Sequence, residues 1–499
     1  MEMVTPPMSN YDWKTLLAKP VRTHILHFVG IGGVGMSALA HLLSHLGHCV
    51  QGSDTSAHNP YLERLQQKGV RLFSSHHNLN VEHATHLIIS SAIGEDNPEL
   101  IHARKKNIPI IKRGDLLGAL TQTKKTIGIT GSHGKTTTTA LMAKMMVTAG
   151  LDPLVLNGGT MADYDSNVYL GSGDWLVTEL DESDGTHSRA HNYVGVITNI
   201  DEEHMEFYQN KETLFRSFDA FLHHIDPAGM PMVCLDDPLT KEYLPKMDRP
   251  VFTYGCDPLA SVYVHNIQAT ASGMQFDVRF PDRSGYTGLE LSLYGHHNVL
   301  NAAPALGVAF HLGLPEAVVR KALQEFKGVK RRFNQTGLTG RVRFIDDYAH
   351  HPVEINATLK TARALCKGRL YAVCQPHRYT RLRGLFDDFQ TCFAAADETI
   401  LIPVHSAGEP PIRRISSESL AKAMKDQGQS VRFIETFAEV TSYLKTKLHR
   451  DDMVVCMGAG TITHLAHQLP QAVHDAQNPP HDNPALKIPP MTTLPSTFP

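Results

Sequence analysis

One short stretch constrains this chain more than any other: Gly128-Ile-Thr-Gly131-Ser132-His133-Gly134-Lys135-Thr136-Thr137-Thr138. A β-branched run from Lys125 to Thr130 leads into it, and a helix-like run from Thr137 to Thr148 leads out. A strand, a glycine-rich turn, Gly-Lys-Thr and a helix together make a phosphate cradle. Backbone N–H groups at Gly131, Ser132, His133, Gly134 and the helix start can face phosphate oxygens. Lys135 can reach the β- and γ-phosphates, and the Thr136 hydroxyl can hold Mg²⁺. The spacing departs from the common loop, because the preceding glycine, Gly131, lies three positions before Gly134. A turn that merely caps a helix has no need of Gly-Lys-Thr. The chain is therefore expected to bind and spend ATP with Mg²⁺.

A length of 499 residues suggests roughly three domains. An apolar share of 42% is enough to fill a core in each. The net charge of −3, with no long basic run, argues against nucleic acid as a partner. The seven cysteines show no paired CxxC spacing, which fits a reducing cytosol and neither a disulfide framework nor a zinc site. The N-terminus lacks an apolar signal-peptide region, and no apolar run approaches the ~18 residues of a membrane helix. The expectation is a cytoplasmic protein with no membrane insertion.

Alternating strand-like and helix-like segments predict an α/β protein of parallel, doubly wound sheets. Three domains are expected: a Rossmann-like domain over 1–124, a P-loop ATPase-type central domain over 125–335, and a Rossmann-like C-terminal domain over 336–475. Residues 476–499 are polar and proline-rich and are expected to be disordered.

Further clusters sit where such sheets bind ligands, at the carboxyl ends of strands. Gly30, Gly32, Gly33 and Gly35 match GxGxxG between a strand and a helix, and Asp54 follows at the end of the next strand. Any diphosphate suits such a turn. Glu179 ends an apolar strand in Thr-Glu-Leu-Asp-Glu-Ser-Asp, a place for a Mg²⁺ ligand. His204, beside Asp201, Glu202 and Glu203, can hold a metal or orient a phosphate. Asn298 and Asn301 open a helix with amides suited to adenine or ribose, although Asn298 could equally be a cap. Arg331 lies in a basic Lys330-Arg331-Arg332 segment that could clamp a phosphate. Asp346, Tyr348, His350 and His351 end one later strand; His377, Arg378 and Arg381 end the next.

Taken in order, GIGGVGMSALA, GSD, GSHGKTT, ELDESD, NIDEEHM, HNVLNA, GVKRRF, DDYAHHP and QPHRYTR closely resemble the Mur ligases of peptidoglycan synthesis over about residues 22–465. Within that family the pattern is most similar to the member that adds the first amino acid. The resemblance implies a UDP-sugar-binding domain, an ATPase domain and a closing domain. It implies amide formation between L-alanine and UDP-N-acetylmuramate through an acyl phosphate. Lys135, Glu179, His204, His351, Arg378 and Arg381 would be catalytic, with Thr136, Glu179 and His204 on the metal. Asn301, Arg331 and Asp346 would join the loop 131–137 in holding ATP. Gly30, Gly32, Gly33, Gly35, Asp54, Tyr348 and His377 would face the other substrates, the role of Asp54 being open. Glu203 and Glu206 stand where the family pattern leads one to expect aspartates. Homodimer formation stays open. So do a recycling ligase that joins a tripeptide to the same UDP-sugar, an NAD-dependent oxidoreductase using Gly30–Gly35, and a non-catalytic nucleotide sensor. The oxidoreductase leaves Lys135 and Glu179 unexplained; the sensor leaves the 346–381 clusters idle.

Overall fold

The structure, a computed structural model, describes Leu17 and residues 24–477 apart from 57, 58 and 248. The proline-rich tail, from residue 478 on, lies outside the described residues. The chain divides into two compact units between Arg332 and Phe333.

The first unit carries two sheets. The smaller holds β1 (Ile25–Val29), β2 (Cys49–Ser53), β3 (Arg71–Phe73), β4 (His86–Ile89) and β5 (Ile110–Lys112) in the order β3-β2-β1-β4-β5. All of its pairings are parallel. The order reverses at β1, so the Gly30–Gly35 turn opens at the switch point, where such sheets leave a crevice. β1 reads Ile-Leu-His-Phe-Val and is buried along most of its length, because helices cover both faces of a parallel sheet.

The larger sheet has the order β15-β14-β13-β12-β11-β10-β6-β9-β7-β8. Its strands are β6 (Lys125–Thr130), β7 (Leu154–Met161), β8 (Ser166–Leu170), β9 (Trp175–Glu179), β10 (Asn192–Ile197), β11 (Ile225–Cys234), β12 (Phe252–Gly255), β13 (Val262–Ala269), β14 (Met274–Arg279) and β15 (Gly285–Leu291). The centre is parallel, and β8 at one edge and β14 and β15 at the other run antiparallel to their neighbours. β6 lies between β10 and β9, so the loops that leave these three strands meet. One apolar core joins the two sheets: Leu39 and Leu43 of the helix Val34–His45 and Leu117 of the helix Arg113–Thr121 belong to the same buried cluster as Leu154, Leu176 and Phe218.

The second unit has one sheet, β16-β17-β21-β18-β19-β20. It comprises β16 (Asn334–Thr339), β17 (Val342–Asp347), β18 (Leu370–Cys374), β19 (Glu398–Leu401), β20 (Val431–Phe433) and β21 (Met453–Met457), parallel except for the edge strand β16. Fully buried strands such as Leu-Tyr-Ala-Val-Cys of β18 explain its apolar runs. Among the described residues no helix is long and apolar enough to cross a membrane.

Candidate active site

The cradle forms directly after β6. Gly131 and Gly134 take positive φ of 123° and 82°, which glycine adopts without a Cβ penalty. A Cβ on Gly131 would collide with the Thr198 hydroxyl, and one on Gly134 with Asn301 Oδ1. The helix Lys135–Thr148 then begins, with Thr136 and Thr137 buried in its first turn.

The loop leaving β10 braces the cradle from the side. Asn199 Oδ1 accepts from the His133 N–H at 2.8 Å, and Asn199 Nδ2 donates to the His133 carbonyl at 3.0 Å. The Thr198 hydroxyl also donates to that carbonyl, and the Asp201 N–H donates to Ser132 Oγ. His133 Nε2 lies 3.1 Å from Asp201 Oδ2. The loop after β10 thus holds the turn through both the amide and the carbonyl of His133.

Lys135 folds back over the turn. Its Nζ donates to the carbonyls of Gly131 at 2.5 Å and Ser132 at 3.0 Å, and lies 2.8 Å from Glu182 Oε2. Burial works against the ammonium charge, yet Glu182, Glu179 and Asp181 outweigh it and hold Lys135 above its ordinary range. Burial pushes the Glu182 carboxyl up to about 8; Lys135 opposes that shift and Asp181 reinforces it. Several carboxylates surround one lysine, which favours its charged form. Asp181 is shifted the other way: its burial is outweighed by Arg113 and Lys135, and its carboxyl is held well below the usual range.

Glu179 and His204 make different contacts. Glu179 Oε2 accepts from the Gly158 N–H at 2.8 Å, and a Cβ on Gly158 would strike that carboxylate. Gly159 passes close to the Thr136 methyl. His204, at φ 57°, instead places Nε2 3.7 Å from Glu182 Oε1 and 3.9 Å from Glu203 Oε2. The donor atoms of Glu182, Glu203 and His204 lie within 4.8 Å of one another, a spacing and chemistry that fit a divalent cation. Asn301 abuts Gly134 and donates to Asn298 Oδ1, so the two amides act together. Arg331 follows the bridge that pairs Val329 with Met161 and lies at the end of the unit.

At the first glycine turn the N–H groups of Gly30 and Ile31 donate to the Ser53 carbonyl. Asp54 Oδ2 accepts from the Gly32 N–H at 2.8 Å, and Asn59 Nδ2 donates to the Gly32 carbonyl at 2.9 Å. Gly33 precedes the helix Val34–His45 as a cap with no side-chain partner. A Cβ on Gly35 would come within 2.6 Å of Arg113 Nη1. Asp54 therefore closes the turn on itself.

In the second unit Asp346 is nearly fully buried, and its Oδ2 accepts from the Thr463 hydroxyl at 2.7 Å. Tyr348 and His350 make an edge contact, and the His350 and His377 rings are 5.9 Å apart. His377 stacks on His405 at 5.4 Å, and Arg381 Nη1 lies 3.5 Å from His377 Nδ1. Burial, with His350 and Arg381 adding, pushes His377 down to about 3, so this ring stays neutral. Arg378 takes φ 68° and caps the helix Tyr379–Gly384. His351 caps the helix Pro352–Leu365, with Glu354 accepting from the His350 and His351 N–H groups.

Three family models match the chain in succession: "Mur ligase family, catalytic domain" over residues 25–125, "Mur ligase middle domain" over 129–309, and "Mur ligase, glutamate ligase domain" over 331–460. The chain belongs to the Mur ligase family. It is 43% identical over 467 residues to the UDP-N-acetylmuramate–L-alanine ligase of Rhodospirillum rubrum, covering 92% of this chain and 97% of that one. It is 44% identical over 458 residues to the protein of the same name from Agrobacterium fabrum, covering 90% and 97%. The crystal structure of the UDP-N-acetylmuramate-alanine ligase of Thermotoga maritima superposes with a TM-score of 0.77 at 28% identity, over 89% of this chain and 98% of that one. A murein peptide ligase from Psychrobacter arcticus shares the fold, with a TM-score of 0.66 at 22% identity over 91% and 99%.

In this Mur ligase several contacts that build the site were not assigned from the sequence. Glu182, rather than Glu179, meets Lys135. Asn199 and Asp201 reach the cradle from β10, and Gly158 reaches Glu179 from β7. Arg113 stands over Gly35, and His405 stacks on His377. Strand-end position was the available signal for Asn199 and His405. Nothing local marked Arg113 or Gly158.

Proposed function

We infer that this chain is an ATP-dependent ligase that joins L-alanine to UDP-N-acetylmuramate in the cytoplasm, as a step in peptidoglycan precursor synthesis. The observation that carries the reading is identity above 40% along nearly the whole length of relatives with that activity in their names, combined with an intact Lys135 cradle.

A carboxylate resists attack by an amine until it is activated. The lactyl carboxylate of the UDP-sugar attacks the γ-phosphorus of ATP, ADP leaves, and an acyl phosphate forms. The amine of L-alanine then adds to the acyl carbon, and phosphate departs from the tetrahedral intermediate. Lys135 and the amides at the start of the helix Lys135–Thr148 neutralise charge on the transferring phosphoryl group. Asn301, beside Gly134, serves the nucleotide, with Arg331 and Asp346 assigned to it from the motif pattern. Thr136 and Glu179 on one side, and Glu182, Glu203 and His204 on the other, would hold Mg²⁺. When bound, Mg²⁺ supplies further neutralisation of phosphate charge. Arg378 and Arg381 suit the carboxylate of L-alanine, because a guanidinium fork matches a carboxylate. Tyr348, His351 and His377 shape the same face of the second unit.

The test is ADP release with each substrate omitted in turn. Release that requires both UDP-N-acetylmuramate and L-alanine supports the reading. Release requiring a tripeptide in place of L-alanine would reassign the chain to recycling, and release without any UDP-sugar would refute it.

A further inference from the structure

Arg113 belongs to no motif, yet it touches both halves of the first unit. It is the first residue of the helix Arg113–Thr121, directly after β5. Its Nη2 donates to Asp184 Oδ2 at 2.8 Å and to Asp181 Oδ2 at 3.2 Å. Its Nη1 lies close to Gly35, within 2.6 Å of where a Cβ there would stand. Gly35 sits in the first turn of the helix that follows the UDP-sugar turn.

The two aspartates are braced from within their own loop. Asp181 Oδ1 accepts from the Ser183 N–H, and Asp184 Oδ1 accepts from the Thr186 N–H and hydroxyl. Between them stands Glu182, whose carboxylate meets Lys135 Nζ and faces His204. A displacement of the guanidinium therefore pulls on the segment that sets Glu182 against Lys135. The rest of the helix makes the connection stiff. Asp115 pairs with Arg189 Nη1 at 2.7 Å, Thr121 Oγ1 accepts from the His191 N–H at 2.9 Å, and a Cβ on Gly114 would come within 2.5 Å of the Thr186 hydroxyl. One helix thus lies along the whole loop from 181 to 191.

We propose that Arg113 is a positioning residue that couples the glycine turn at 30–35 to the Lys135 cradle, so that filling either site tightens the other. The proposal rests on the functional reading above, with the UDP-sugar at the turn 30–35 as the family resemblance implies and ATP at the Lys135 cradle. A diphosphate arriving beside Gly35 brings negative charge next to Nη1. A guanidinium can meet it there while Nη2 keeps both aspartates, because its donors are fixed in one plane. Lysine, with a single ammonium, cannot hold the turn and two acids together. Linkage requires the effect to be reciprocal.

The experiment measures the affinity of a non-hydrolysable ATP analogue by calorimetry, with and without saturating UDP-N-acetylmuramate, in the full-length wild type and in Arg113→Ala, Arg113→Lys and Asp184→Asn. The wild type should show tightening of about fivefold or more. Arg113→Ala should lose it, to within about twofold, while binding the analogue alone as the wild type does. Arg113→Lys and Asp184→Asn should retain part of it. If Arg113→Ala lacks a native melting profile, Asp184→Asn decides instead, and coupling undiminished from the wild type in that variant would overturn the proposal. Full coupling in a folded Arg113→Ala, or analogue binding as weak as in Lys135→Ala, would overturn the proposal. A wild type that turns over but shows no coupling sinks the strut alone; a wild type that binds no UDP-sugar sinks the functional reading with it.

Discussion

The two glycine turns of the first unit are built alike and finished differently. Each follows a central parallel strand and opens a helix. At 131–134 the side chain nearest the turn is a cation: Lys135 lies over the Gly131 and Ser132 carbonyls and is held charged by the acids around it. At 30–35 it is an anion: Asp54 takes the Gly32 N–H, and the cation, Arg113, arrives from another helix and is already committed to Asp181 and Asp184. In the proposed reaction the turn at 131–134 meets a phosphate that is being transferred, and the turn at 30–35 meets one that is only held.

The largest expected effect tests that division at its sharpest point. Lys135→Ala should lower ADP release by roughly 10²–10³-fold, the cost of removing one group aimed at developing charge. The fold should survive, because Glu182, already pushed up by burial, can take a proton once its partner is gone. A folded variant with near-normal turnover would erase the distinction between the turns.

Next come paired glycine substitutions. Gly134→Ala places a Cβ in the left-handed region, costing about 1–2 kcal/mol, and drives it into Asn301. Affinity for an ATP analogue should drop by about tenfold or more. Gly32→Ala meets the ends of the Asn59 and Asp54 side chains at 2.6 and 2.8 Å, which can rotate away. It should weaken UDP-sugar binding and leave the ATP analogue alone. Equal loss of analogue binding in both would mean that the turns are not separate sites.

Asp54→Ala removes a partly exposed, charge-assisted hydrogen bond and should lower stability by about 1 kcal/mol, read by urea unfolding. ATP-analogue affinity should stay within about twofold. A larger effect on ATP than on stability would place Asp54 in the catalytic machinery instead.

A pH-dependent effect concerns the loop both turns share. His187 is fully buried in that loop against Phe218 and Phe221, and burial lowers it to about 4. Below pH 6.5 the unfolded chain binds a proton that the folded chain refuses until near pH 4. Stability is therefore present above the unfolded pKa and is lost as pH falls from about 6.5 toward 4, by roughly 2 kcal/mol at pH 5. His187→Phe keeps the ring and removes the titration. Its melting temperature should fall less between pH 7 and pH 5 than that of the wild type. Parallel losses would assign the acid sensitivity elsewhere, His377 being the next candidate at about 3.

Much of the fold was legible because it is written locally. β6, β9, β14 and β18 stand close to where apolar runs ended in glycine, acid or proline. The boundaries moved where side chains intervene: the cradle helix starts at Lys135, two residues before the helical pattern does, because Gly134 turns the chain early. In the second unit the cluster around Arg378 and Arg381 was visible as a strand-end motif. Its stacking partner His405 was not, since that residue leaves a different strand, β19, and meets His377 only through the β18–β19 pairing.

The sequence by itself determined that glycine turns at 30–35 and 131–134 join a strand to a helix, and that the sheets are parallel α/β sheets. Each follows from a few consecutive residues and the backbone conformations they permit. Only the tertiary structure decided that Glu182 meets Lys135, that Asp54 closes Gly32, and that Arg113 stands between Gly35 and the 181–184 loop. In the last of these contacts the partners lie about seventy residues apart in the chain. Such a meeting is set by strand order and by the packing of whole helices, and local residue patterns carry no record of it.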